Sequence, residues 1–111
     1  MTLALLLACA PAVNHAPVLQ TASVADGDTI DIPTVGVDIQ VIADDPDGDV
    51  MQFRWAIDGI GVHGTDVQNS GSTTSTYNVY GAGNDGATLS LMITDGVDAI
   101  DLSWPMVYVG A

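Results

Sequence analysis

Four carboxylates fall within six residues at Asp44-Asp45-Pro46-Asp47-Gly48-Asp49. Like charges this close repel one another unless they are solvated or neutralised. A tight loop with alternate Asp residues aims its oxygens at one point, which suits a hard cation, above all Ca²⁺. The loop is not an EF-hand. Counted from Asp45, the sixth position is Val50 where that motif needs Gly, and the twelfth is Ala56 where it needs Glu. Further ligands must come from elsewhere, either Asp95 and Asp98 or Asp26 and Asp28. The expected ligand set is Asp44, Asp45, Asp47, Asp49 and Asp95, with an affinity on the order of 10⁻⁴ to 10⁻³ M, as in extracellular modules. The same residues also read as a polar turn whose side chains cap backbone N–H groups.

Other constellations carry less. His63 lies near Asp66 in sequence, but no nucleophile motif such as Gly-x-Ser-x-Gly accompanies the pair. His63 is expected in a surface loop, and a small hydrolase built on His63 and Asp is the least supported function. Paired carboxylates suit glycoside hydrolysis, yet fourteen acids make chance pairs inevitable. Gly81-Ala82-Gly83-Asn84-Asp85-Gly86 has the glycines of a phosphate loop without the Lys and Ser/Thr that such a loop needs. No catalytic residue is assigned, and the chain is read as non-enzymatic.

The charge balance narrows the partners. All fourteen acids are Asp, Arg54 is the one base, and the net charge is −13. Such a surface repels phosphate backbones and anionic head groups, so nucleic acid is excluded and any membrane contact is expected through a lipid anchor alone. Glu and Lys are absent. Asp favours turns and caps, so long exposed helices are not expected. One cysteine, Cys9, permits no internal disulfide.

The elements that must hold the acidic loop are strands. Val37, Ile39 and Val41 alternate with polar residues. So do Met51, Phe53, Trp55 and Ile57, then Leu89, Leu91 and Ile93, then Ile100, Leu102, Trp104 and Met106. A period of two puts each set on one side of a pleated sheet, and four such sets suffice for the inner layers of two packed sheets. Turn signals at short intervals complete the pattern of a sandwich. Asp58-Gly59 and Asp95-Gly96 suit tight hairpins. Pro105 predicts a sheet edge or a bulge in the last strand, and a bulge would turn Val107 and Val109 inward. Trp55 is expected to be buried, and Arg54 to face outward against one of the acids. The expected fold is an all-β, Ig-like antiparallel β-sandwich of about seven strands, forming one monomeric domain over residues 14–111.

Asn14-His15-Ala16-Pro17, the Asp-Pro-Asp-Gly-Asp run at residues 45–49, Phe53-Arg54-Trp55 and Thr94-Asp95-Gly96 follow one another in an order that resembles PKD-type and cadherin-like bacterial surface Ig-like domains. The resemblance implies a non-catalytic extracytoplasmic role in adhesion, spacing or structure. The alternative is a carbohydrate- or protein-binding accessory module that meets a glycan or protein ligand through residues 62–71 and 81–86. Leu6-Leu7-Ala8-Cys9 resembles a bacterial lipobox. That likeness implies a signal segment within residues 1–13, lipidation of Cys9 and anchoring at the outer membrane or cell surface. The other reading of these residues is a short apolar tail with an incidental cysteine.

Overall fold

The computed structural model describes residues 13–67 and 72–110, without the side chains of residues 65–67. Among the described residues, eight strands run in the order β1 (Val18–Ala22), β2 (Ile30–Ile32), β3 (Val37–Asp44), β4 (Met51–Ile57), β5 (Ile60–Val67), β6 (Thr73–Val79), β7 (Thr88–Thr94) and β8 (Ala99–Tyr108). One 3-10 turn, Ala82–Asn84, precedes β7. The strands form a three-stranded sheet, β1-β3-β6, and a five-stranded sheet, β2-β8-β7-β4-β5. In this all-β sandwich, β1-β3-β6 takes the place of A-B-E and β8-β7-β4 that of G-F-C in an Ig-like arrangement.

The alternating sets define the interior. Met51, Phe53 and Trp55 are fully buried on β4, and Leu89, Leu91 and Ile93 on β7. Leu102, Trp104 and Met106 from β8, with Ile39 and Val41 from β3, complete the layer between the sheets. Trp55 is the centre of that layer. Its ring stacks on Tyr77 of the opposite sheet at 5.8 Å and on Trp104 of its own sheet at 5.9 Å. A buried indole N–H needs an acceptor. Trp55 Nε1 donates across the core to Ser75 Oγ at 2.9 Å, and Trp104 Nε1 donates to the Val24 carbonyl at 2.8 Å.

Several local expectations are corrected. The short strand Ile30–Ile32 pairs in parallel with β8, where an antiparallel partner was expected. Residues 62–67, expected in a loop, belong to β5. Residues 68–71 lie outside the described residues, as does Cys9. Pro105 causes no parity flip: Met106 is buried while Val107 and Val109 are exposed. The Met106 N–H bonds toward β7, at the Ala87 carbonyl, so the Pro105 nitrogen faces the other side of β8. There the pairing changes from the Asp26–Gly27 turn, which meets Ser103, to β2, which begins opposite Met106. Proline is tolerated where the ladder asks for no donor. Asp58-Gly59 does form a two-residue hairpin between Ile57 and Ile60, with φ of 49° and 83°, the positive pair that a type I′ turn requires. Asp95-Gly96 lies in a four-residue connection, residues 95–98, between Thr94 and its partner Ala99.

Truncating Trp55 removes both ring contacts and leaves Ser75 without its partner. Trp55→Ala is expected to lower the unfolding free energy by about 3–5 kcal/mol, measured by urea denaturation. Trp55→Phe, which keeps a ring but loses the donor, is expected to cost less.

Candidate metal centre

Strand register assembles the site. Val18 pairs with Asp44, so the chain entering β1 runs beside the chain leaving β3. Gln52 pairs with Thr94, so the chain entering β4 runs beside the chain leaving β7. Three segments therefore converge at one end of the sandwich: residues 13–17, the β3–β4 loop and the β7–β8 loop.

The β3–β4 loop turns where its sequence demands. Asp45, Pro46 and Gly48 occupy the positions that favour Asp, Pro and Gly in a type I turn. The Gly48 N–H closes the turn on the Asp45 carbonyl at 3.0 Å. Asp45 Oδ1 accepts the Asp47 N–H at 2.8 Å. That bond fixes the Asp45 carboxylate, which is only 3% exposed. Its second oxygen, Oδ2, is buried and has no hydrogen-bond partner. An unsatisfied buried carboxylate oxygen is costly and calls for a compensating group.

Other carboxylates gather beside it. Oxygens of Asp45, Asp47 and Asp49 lie within 4.8 Å of one another. Carboxylate oxygens gathered this closely suit a hard cation. Asp95 brings a further carboxylate to this end, tied to it through the Asn14 amide. Asp44 is not one of the converging three; it ends β3 in register with Val18.

Electrostatics separate the members. Burial, followed by the charges of Asp45, Asp47 and Asp95, pushes the Asp49 carboxyl above the ordinary aspartate value. Asp47 is pulled below it, first by the His15 backbone N–H and then by the His15 ring. Burial raises Asp95, but hydrogen bonds from Asp98, Asn14 and Val97 outweigh it and leave the group lowered. Asp95 Oδ1 accepts the N–H groups of Val97 and Asp98 at 2.9 and 2.8 Å.

Of the two further pairs, Asp95 and Asp98 stand together at this end, where both accept from the Asn14 amide. Asp26 lies elsewhere and caps the Ser103 N–H at 2.8 Å. His63 sits on β5 opposite Trp55 and is exposed. The Asp66 side chain is outside the described residues. Arg54 points away from the core, its guanidinium packed over Gly64. Sequence reasoning gave Asn14 and His15 no part in the site; the signal available was the Asn-x-x-Pro run itself. A cleft of about 340 Å³, lined by Val13, Asn14, Asp47 and Asp49, opens beside the cluster. Compared with protein-family models and with curated proteins, the sequence matches none.

The pKa directions set the pH response of the metal-free protein. Asp49, raised in the fold, weakens stability while charged, and that weakening is relieved as the pH falls through its folded value. Asp47 and Asp95, lowered in the fold, stabilise above the unfolded value of about 3.9. Their contribution is lost as the pH falls through their lower folded values. With a chelator present, the Tm is expected to rise as the pH drops from neutral and then to fall at stronger acidity. Asp49→Asn is expected to raise the neutral-pH Tm and to abolish the rise.

Proposed function

We propose that this chain is a non-catalytic extracytoplasmic surface module, adhesive, spacing or structural in role, and that calcium stabilises its acidic end. The observation that carries the ion role is the buried, unpartnered Oδ2 of Asp45 among the carboxylates of Asp47, Asp49 and Asp95. A cation there replaces repulsion with attraction and supplies the partner that Oδ2 lacks. It also ties the β3–β4 loop to the β7–β8 loop, which otherwise meet as like charges. The cluster brings few protein ligands and two of its members are exposed, so affinity falls in the range of about 10⁻⁴ to 10⁻³ M. Millimolar Ca²⁺ is an extracellular condition, in keeping with the likeness of Asn14–Pro17, residues 45–49 and Phe53–Trp55 to PKD-type and cadherin-like domains. The same setting accords with the lipobox-like Leu6–Cys9, which assigns lipidation to Cys9.

Calcium titration followed by thermal unfolding tests the ion role. A tenfold excess over Kd stabilises a folded protein by about 1.4 kcal/mol, a rise in Tm of about 5–10 °C for a domain near this size. Asp45→Asn and Asp47→Asn are each expected to abolish the gain, and Mg²⁺ at equal concentration to give less. A Ca²⁺ response no larger than that of NaCl at matched ionic strength removes the ion role. The anchor is checked separately. Expressed in a bacterium that processes lipoproteins, the chain is expected in the detergent phase of a Triton X-114 partition, and Cys9→Ser in the aqueous phase.

A further inference from the structure

Two residues ahead of β1 are fastened to the acidic end. Asn14 Nδ2 donates to Asp95 Oδ2 and to Asp98 Oδ2, both at 2.9 Å. The His15 N–H donates to Asp47 Oδ2 at 2.7 Å. His15 Nδ1 meets Asp47 Oδ1 at 3.0 Å; a carboxylate only accepts, so Nδ1 is the donor. Both oxygens of Asp47 are therefore engaged by one residue. We infer that the Asn14–His15 segment is a built-in competitor for the cation, clasping Asp47, Asp95 and Asp98 when the ion is absent and giving up Asp47 when it binds.

This inference rests on the calcium reading above. Asp47 belongs both to the converging carboxylates and to the clasp. A dication bonded to Asp47 sets its charge against the positive ends of two N–H dipoles on the same group. The two occupancies oppose each other through that repulsion. Release of the clasp forfeits little burial, because the His15 side chain is 60% exposed. Pro17, two residues on, is buried and stays as the fixed point. The cleft beside Val13, Asn14, Asp47 and Asp49 lets an ion approach between clasp and loop. By linkage, whatever factor the clasp takes from cation affinity, the cation takes from the clasp. Cation level would thereby set how firmly the chain ahead of Pro17 is held against the domain.

The test uses the full chain and its Asn14→Ala/His15→Ala variant, titrated with Ca²⁺ by calorimetry at one neutral pH and ionic strength. Unchanged tryptophan fluorescence verifies that the variant keeps the Trp55–Trp104 core. The variant is expected to bind Ca²⁺ about fivefold more tightly, the scale of exposed charged contacts. In the unaltered protein, saturating Ca²⁺ is expected to speed hydrogen exchange at the His15 amide. Equal or weaker binding by the variant, or a His15 amide still protected at saturation, overturns the clasp and leaves the cation site standing. Absence of Ca²⁺ binding to both proteins overturns the site and the clasp together.

Discussion

The structure depends on one side chain shared by both sheets. Trp55 is anchored in the five-stranded sheet, stacks on Tyr77 in the three-stranded sheet, and bonds across the core to Ser75. Two contacts on β6 fix β4 against it, and β6 is in register with β3 from Val37 to Ala43. The relative slide of the two sheets is thereby set. A one-residue slip would turn Phe53 and Trp55 outward and Arg54 inward, so the register is strongly specified. The acidic end inherits its geometry from this lock. The loops leaving β3 and β7 meet because the strands beneath them cannot move.

Against that rigid base stands an end that is electrostatically poor. Five carboxylates, Asp45, Asp47, Asp49, Asp95 and Asp98, project from two neighbouring loops, and backbone N–H groups and Asn14 and His15 are the donors that answer them. The loops satisfy what they can locally. Asp45 Oδ1 closes its own turn and Asp95 Oδ1 closes another. The remaining acceptor capacity is aimed inward and left over, most sharply at Asp45 Oδ2. Evenly spread acids would be solvated at no cost. Here burial of one member makes the arrangement uneven, which separates it from a merely acidic surface.

Legibility followed the physics of each segment. Strands β3, β4, β7 and β8 were readable because one face of each is buried and the other is wet. Strand β6 hid because Thr73 and Ser75 are buried where alternation expects apolar residues; the Ser75 hydroxyl is there for an indole, not for the hydrophobic pattern. Strand β5 hid because it is an outer strand with Gly61, Gly64 and exposed Ile60 and Val62. Strand β2 is three residues long and below the reach of periodicity. The acidic loop was visible as spacing, and Asp95 was placed with it. The Asn14 contact was not, since it joins residues 81 positions apart through the pairing of four strands. Asp44 was grouped with its neighbours by sequence alone, whereas it still belongs to the β3 ladder.

The outer strands have a further consequence. An open sheet edge is a template on which another chain can add a strand. At one side of the five-stranded sheet, β2 offers three residues before Pro33 ends it. At the other, β5 carries an extra residue between its partners for Trp55 and Ala56, which kinks the strand. Neither border offers a long flat run of backbone, and a net charge of −13 keeps like molecules apart. Along this sheet a second copy therefore finds little regular edge on which to add a strand.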